Sequence, residues 1–254
     1  MILLLGWGRA ILLQFAHPLV ARGVADHSSF QATPSERWSR LWRTVNAMLA
    51  LSFGPEAAGR GAVQRINAIH DRVHGRLSEA AGVFAAGTPY SAHDPYLLRW
   101  VHATLVDSFL LTYELYVDRL AGPERDRYCQ EASEIEPLLG IPRNFLPRDM
   151  LALRAYLDRM LASGEIAVTD TARALARELL APPLPRLAAP LVRVMRQPAI
   201  GLLPPPVRTA YGFAWGPRDE VALHRSAAVI RRLLPLVPPV ARYWRAARRA
   251  ERQP

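Results

Sequence analysis

Between Pro95 and Leu120 the chain runs without a further proline or any glycine, after Asp94-Pro95 and before Ala121-Gly122-Pro123. Asp94 is an N-cap residue and Pro95 a first-turn residue, so the punctuation predicts one helix over the whole stretch. From Leu97 to Val117 it is apolar nearly all round, which predicts a helix buried by neighbours on every side. Arg99, His102, Asp107 and Glu114 argue against a membrane span. A chain containing such a helix must supply others to cover it.

The remaining pattern supplies them. Thr33-Pro34-Ser35-Glu36 combines an N-cap, a proline at N1 and a capping-box glutamate, and predicts a helix ending at Phe53 before Gly54-Pro55. Pro55 opens the next helix, predicted to end near Gly75. Further helices are predicted at 124–137, 147–163, 169–180 and about 217–234. The proline-rich stretch from APPLPRLAAP through GLLPPP predicts short helices and turns wrapping the others. No run of alternating apolar and polar residues bounded by turns suggests a strand. The fold class expected is all-α: a single-domain helical bundle over residues 1–254, with a long buried central helix.

The single cysteine, Cys129, excludes an intrachain disulfide framework and any multi-cysteine zinc or iron–sulfur site. The net charge is +10 and all 32 basic residues are arginine. They are spread along the chain, with a denser cluster only in the terminal RYWRAARRAERQP, which reads as a solvated helix end; no nucleic-acid partner is expected. The apolar N-terminus, MILLLGWGRAILLQFAHPLV, has no basic n-region and no small-residue cleavage site, so no signal peptide is expected and the localisation expected is cytoplasmic. Arg9 leaves too little apolar chain on either side for a span. A core helix or a helix lying on a membrane surface are both open.

INAIHDRVHG, residues 66–75, places His70 and His74 four apart in a helical pattern. Measured from Ile66 at about 100° per residue, Val63, Ile69, Val73 and Leu77 fall within roughly 60° on either side, His70 at about 40° and His74 at about 80°. His70 therefore points inward, and His74 stands at the stripe's edge. An inward histidine needs a partner for its ring nitrogens. Three readings remain: a core histidine bonded to a carbonyl, a zinc clip, or a haem ligand. The zinc reading lacks the glutamate that follows the first histidine in the protease motif, Asp71 standing there instead, and no third ligand is nearby.

Four other segments accompany this one: FAHPLVARGVADHSSF (15–30), RLWRTVNA (40–47), TPYSAHDPYLLRWVHATLVDSF (88–109) and YCQEASEIEPLLGIPRNFLP (128–147). In this order around HDRVHG, from about residue 10 to 165, they resemble the catalytic-domain family of latex-clearing proteins (rubber oxygenases), which includes the oxygenase that trims the isoprenoid side chain of mycophenolic acid. The resemblance implies an α-helical protein holding haem b between its helices, with a histidine as proximal iron ligand. By motif position that metal ligand is His70, first histidine of H-x-x-V-x-G. The family's R-x-x-x-T falls on Arg40 and Thr44, and its later helix threonine on Thr104; these would line the haem pocket as cofactor-binding and catalytic residues.

Elementary geometry accommodates the assignment. Arg40 and Thr44, four apart, share a helix face, where a guanidinium could hold a propionate or an oxygen species and the hydroxyl could donate beside it. The same spacing also suits an ordinary solvated face. Thr104 lies in a stretch that must be buried, and an i−4 carbonyl would satisfy its hydroxyl. Two departures stand out. Where the rubber oxygenase has a lysine able to reach iron, this chain has Arg43, which stays protonated and cannot ligate. In RGVADHSS the only carboxylate is Asp26, so rubber itself is not the substrate the sequence points to.

The other histidines receive structural readings: His17 before Pro18 bends a helix junction, His27 beside Asp26 and Ser28 belongs to a loop, and His93 precedes the N-cap Asp94. His102 lies roughly 160° round the helix from Thr104, so the two cannot face one haem squarely. His224 stands in a late helix. The function expected is a haem b-dependent oxygenase using O2 on an apolar, isoprenoid or other alkene-containing, small molecule. The alternatives are a non-catalytic haem protein for sensing, storage or transfer, and a cofactor-free basic helical module on a membrane surface.

Overall fold

The computed structural model describes residues 4–27, 46–47, 50, 55–181 and 189–238. Described first are α1 (Leu4–Phe15) and α2 (Pro18–His27), then α3 (Glu56–His70), β1 (His74–Arg76), β2 (Pro89–Ser91) and α4 (Pro95–Tyr116). They are followed by α5 (Gly122–Ser133), α6 (Met150–Ala162), α7 (Asp170–Leu180), α8 (Ala189–Gly201), α9 (Pro205–Ala210) and α10 (Pro217–Leu233), with 3-10 turns at Glu136–Leu138 and Leu234–Leu236. The protein is an all-α bundle, with one small antiparallel hairpin among the described residues.

The centre of the bundle is α1. Ala10, Leu12 and Ala16 are completely buried, and Leu13 nearly so, against α4 and α8. Close approach is possible because α1 lacks side chains where its neighbours arrive. A Cβ on Gly6 would lie 2.5 Å from Thr112 Oγ1 and 2.8 Å from the Ser108 carbonyl, and one on Gly8 would lie 2.8 Å from Ala199 Cβ. Arg9 is buried too. Its Nε donates to the Leu202 carbonyl (2.6 Å), Nη1 to Ser108 Oγ (2.7 Å) and Nη2 to Asp107 Oδ2 (2.7 Å), so every arm of the fork has a partner. At the C-terminal end of α1, where helix carbonyls run short of partners, Leu12 accepts from Tyr211 Oη (2.7 Å) and Leu13 from Trp100 Nε1 (3.2 Å). Ala10, Leu12, Leu13 and Phe15 of α1 are thus committed to the protein interior, whereas Leu5, Trp7 and Ile11 are half-buried, and among the described residues no helix is long and apolar enough to cross a membrane.

Helix α4 begins as its sequence predicts, with the Asp94 carboxylate accepting from Tyr96 N (2.8 Å) and Pro95 at the first position. It ends at Tyr116, four residues before Leu120. The Glu114 side chain takes the Leu120 N–H (3.3 Å) and the Arg125 guanidinium (2.7 Å), so a carboxylate replaces the backbone acceptor that another turn would have used. Nor is α4 buried all round: Trp100, Ala103 and Thr104 are inside, whereas Leu105, Phe109 and Leu111 are half-buried and Tyr96 is 71% exposed. The expected central position belongs to α1, because a glycine-bearing helix admits neighbours more closely than one lined with large side chains.

Helix α3 also stops early, at His70. Arg72 N bonds to Ile69 O and Val73 N to His70 O, a tightened last turn, and then Val73 O accepts from Ala92 N (2.8 Å) as the chain pairs with β2. Strands of three residues are too short to show an alternating pattern, which is why the hairpin was not foreseen. The expected apolar stripe holds only through the first half of this segment: Val63 is buried, Ile66 half-buried, and Ile69 is 53% exposed.

The helices at 124–137, 147–163, 169–180 and 217–234 are found with small shifts of their ends. Asp149 and Thr169 cap two of them by accepting from Ala152 N (2.7 Å) and Ala172 N (3.1 Å). The proline-rich stretch contains a 13-residue helix, α8, which tolerates Pro198 in its last turn, where one lost hydrogen bond disturbs it least. Of the helix predicted over 33–53, Asn46, Ala47 and Ala50 are helical; Arg40, Arg43 and Thr44 lie outside the described residues, as does the arginine-rich tail.

Candidate functional site

His70 is the last residue of α3, with the hairpin directly after it. Its Nδ1 is buried and has no hydrogen-bond partner among the described residues. Its ring stands edge-on to that of His93, with centroids 5.6 Å apart. His93 Nε2 is 2.8 Å from Asp71 Oδ1, so the carboxylate next to His70 in sequence is engaged by the second histidine. Burial pushes the His70 imidazole below its ordinary pKa, His93 pushes it the same way, and Asp71 opposes both. Burial thus favours the neutral form, the form that has a lone pair to offer.

His74 is not on the helix. It lies on β1, exposed, in register with Ser91, and its carbonyl is 3.1 Å from His27 Nε2. The expectation that both histidines lie on one helix, His70 inward and His74 at the edge of its apolar stripe, is corrected by the end of α3 at His70, and with it goes the geometry of a two-histidine clip. Among the described residues no three His, Cys, Asp or Glu side chains converge as a metal-holding group.

Thr104 is fully buried in α4, and its hydroxyl is satisfied by donation within the helix, to Trp100 O (3.0 Å) or Val101 O (2.9 Å). It also accepts from Gln14 Nε2 of α1 (3.3 Å). All these partners lie in α1 and α4, none in the His70 cluster. His102 turns the other way, as the helical angle requires. Its Nε2 donates to Ala132 O of α5 (2.9 Å), and burial lowers its pKa.

His17 sits at the bend between α1 and α2, where its carbonyl accepts from Ala21 N. The side chain is buried beside Phe84, Nδ1 has no partner among the described residues, and burial pulls its pKa down to about 4. His224 is exposed and pairs with Glu220 at 3.1 Å.

Sequence reasoning passed over Tyr90. This residue is buried under β1 and donates to Asp26 Oδ2 (2.5 Å); Arg22, one turn before Asp26, grips the same carboxylate through Nε (2.8 Å) and Nη2 (2.5 Å). The i,i+4 spacing of Arg22 and Asp26 was legible. Nothing local to Tyr90 points 64 residues back to Asp26.

An open cleft of about 440 Å³ lies elsewhere, between the N-terminal ends of α5 and α6, lined by Gly122, Arg125, Asp126, Asp149, Met150 and Arg154. Three of its polar groups are occupied in holding the bundle: Arg125 pairs with Glu114, Asp126 accepts from Met150 N, and Asp149 accepts from Ala152 N.

No curated protein and no solved structure matches this chain. A protein-family model does, over residues 1–232, well past residue 165, where the motif resemblance fades. With nearly the whole chain matched, the protein belongs to the family described as ER-bound oxygenase mpaB/B'/Rubber oxygenase, catalytic domain.

Proposed function

We propose that this protein is a haem b-dependent oxygenase that uses O2 on an apolar small molecule carrying an isoprenoid or other alkene group, with His70 as the iron ligand. The observation that carries the reading is the His70 imidazole, at the end of a helix, with a buried ring nitrogen that meets no hydrogen-bond partner among the described residues. Buried polar atoms ordinarily find partners; among the described residues His17 and His102 carry an orphaned Nδ1 as well, and what sets His70 apart is the orphan together with the metal-ligand position in the family motif. Family membership supplies the oxygenase class.

Bound haem supplies the redox centre for O2 chemistry, and the protein supplies attachment, orientation and exclusion of water. His70 would attach it. Asp71, held by His93, leaves that imidazole without a carboxylate partner. Arg40 would contribute a permanent positive charge toward a propionate or an oxygen species, and Thr44 a hydrogen bond beside it. Thr104 would act from the α4 side. Its donor is already spent on a helix carbonyl, so its part is to accept a hydrogen bond or fix the wall, not to deliver a proton. Neighbouring apolar residues of α4, Leu97 and Val101 among them, suit an alkene substrate.

The test is haemin titration of the purified protein. The expected result is stoichiometric uptake with a sharp Soret band, abolished in His70→Ala and retained in His74→Ala. Equal behaviour of the two variants, or no stoichiometric uptake, would remove the assignment.

A further inference from the structure

The hairpin beginning just after His70 is fastened to α2 by side chains to which the proposed chemistry gives no role. Tyr90 is only 5% exposed, and its hydroxyl reaches the Asp26 carboxylate at 2.5 Å. Arg22 fixes that carboxylate from the other side and extends Nη1 to Ser78 Oγ (3.4 Å). Glycine clears the way for the phenol: Gly75 is the register partner of Tyr90, and a Cβ there would lie 2.5 Å from Tyr90 Oη. On α2, a Cβ added to Gly23 would already touch Val73 (3.4 Å) and the Tyr90 ring (3.5 Å).

What this fastening holds is the spacing of two histidines. His70 stands before β1 and His93 after β2, so the register of His74 with Ser91, Gly75 with Tyr90 and Arg76 with Pro89 sets where their rings meet. Burial, reinforced by Asp26, pushes the Tyr90 hydroxyl up to about 12, so the phenol remains a donor at any ordinary pH. A mere hairpin lock would need no such pairing, because Leu77, Leu19 and Leu97 already pack with Tyr90.

We infer that Tyr90 and Asp26 are positioning residues, whose hydrogen bond across α2 and β2 fixes the presentation of the His70 imidazole. The consequence for cofactor binding rests on the haem reading above; the tether itself does not.

The experiment has two arms on the full chain. In the haem-free protein with carbon-13-labelled histidine, the His70 imidazole resonance, identified by its loss in His70→Ala, is expected to split or broaden in Tyr90→Phe and in Asp26→Asn. Leu223→Ala serves as the control: it deletes core volume in the Tyr116–Ala227 cluster, lowers the melting temperature, and should leave that resonance single and sharp. In the second arm, both tether variants should weaken haemin affinity on the order of tenfold relative to wild type, the scale typical of residues that orient a metal ligand. A sharp, unshifted His70 resonance in Tyr90→Phe and Asp26→Asn, or equal broadening in Leu223→Ala, overturns the inference. A wild-type protein that takes up no haemin while the tether variants still split the resonance upholds the tether and defeats the haem reading.

Discussion

His70 ends a helix and His74 lies on a strand, a sharper separation than the inward and edge positions that periodicity already gives them on one helical stripe. The difference arises from one event, the end of α3 at His70, produced by pairing between chain segments that no local pattern announces. Periodicity sets His70 inward, and its Nδ1 is buried although the stripe fails at the neighbouring Ile69, 53% exposed; the edge position expected of His74 is lost because β1 replaces the last helical turn. His17 carries a prediction at the same scale. Its native pKa of about 4 lies below the ordinary 6.5 because burial disfavours the charged form. Above pH 6.5 both folded and unfolded chains hold it neutral, and the stability is fully present. As pH falls toward 4, the unfolded chain takes up a proton that the folded one refuses, and about 3 kcal/mol is lost. Urea unfolding at pH 7 and at pH 4.5 should show that loss in the wild type and a flatter dependence in His17→Gln; parallel curves would mean that His17 titrates alike in both states.

At the scale of elements, capping chemistry was the most legible feature. Asp94 starts α4 where the sequence says it should, because an N-cap acts over three residues and depends on nothing distant, and Asp149 and Thr169 cap α6 and α7 within three residues of the starts expected at 147 and 169. Helix ends were less legible. Glu114 ends α4 early by a side-chain hydrogen bond, and β-pairing ends α3. Packing between helices was least legible of all: α1 reads as an apolar stretch, and nothing in it states that its glycines will meet Thr112 and Ala199.

That close approach separates two otherwise identical substitutions. Gly59→Ala in α3 places a methyl 3.7 Å from the Ala50 carbonyl, an ordinary contact, so helix propensity should win and stabilise the protein by about 0.5–1 kcal/mol. Gly6→Ala in α1 gains the same propensity but drives a methyl to within 2.8 Å of the Ser108 carbonyl, a backbone atom with little room to yield. Overpacking of about 1–3 kcal/mol should outweigh the gain. Thermal unfolding should therefore move in opposite directions for the two variants; a raised midpoint for Gly6→Ala would show that α1 is not held so closely.

For the whole molecule, the helical class followed from pattern and punctuation, and the family from the order of motifs around HDRVHG. The candidate site was legible only in part. His70 stands out in the sequence because its motif is short and local. The Tyr90–Asp26 bond and the His93–Asp71 pair join residues 64 and 22 apart, distances over which a single sequence carries no contact information. The arrangement of the molecule gives each part a distinct burden: α1 with its Arg9 fork holds α4 and α8 together, while the tether from α2 holds the hairpin that carries the histidine pair.

The central claim is that His70 would hold the iron of a bound haem through its imidazole. The most direct measurement replaces that side chain and returns it from solution: haemin titration of His70→Gly with and without millimolar imidazole, followed by resonance Raman spectroscopy of the reduced protein. Stoichiometric binding with an iron–histidine stretch should be present in the wild type, absent from the variant, and restored as an iron–imidazole stretch when imidazole is added. A His70→Gly protein that binds haemin as tightly as the wild type and keeps an iron–histidine stretch without imidazole would contradict the claim.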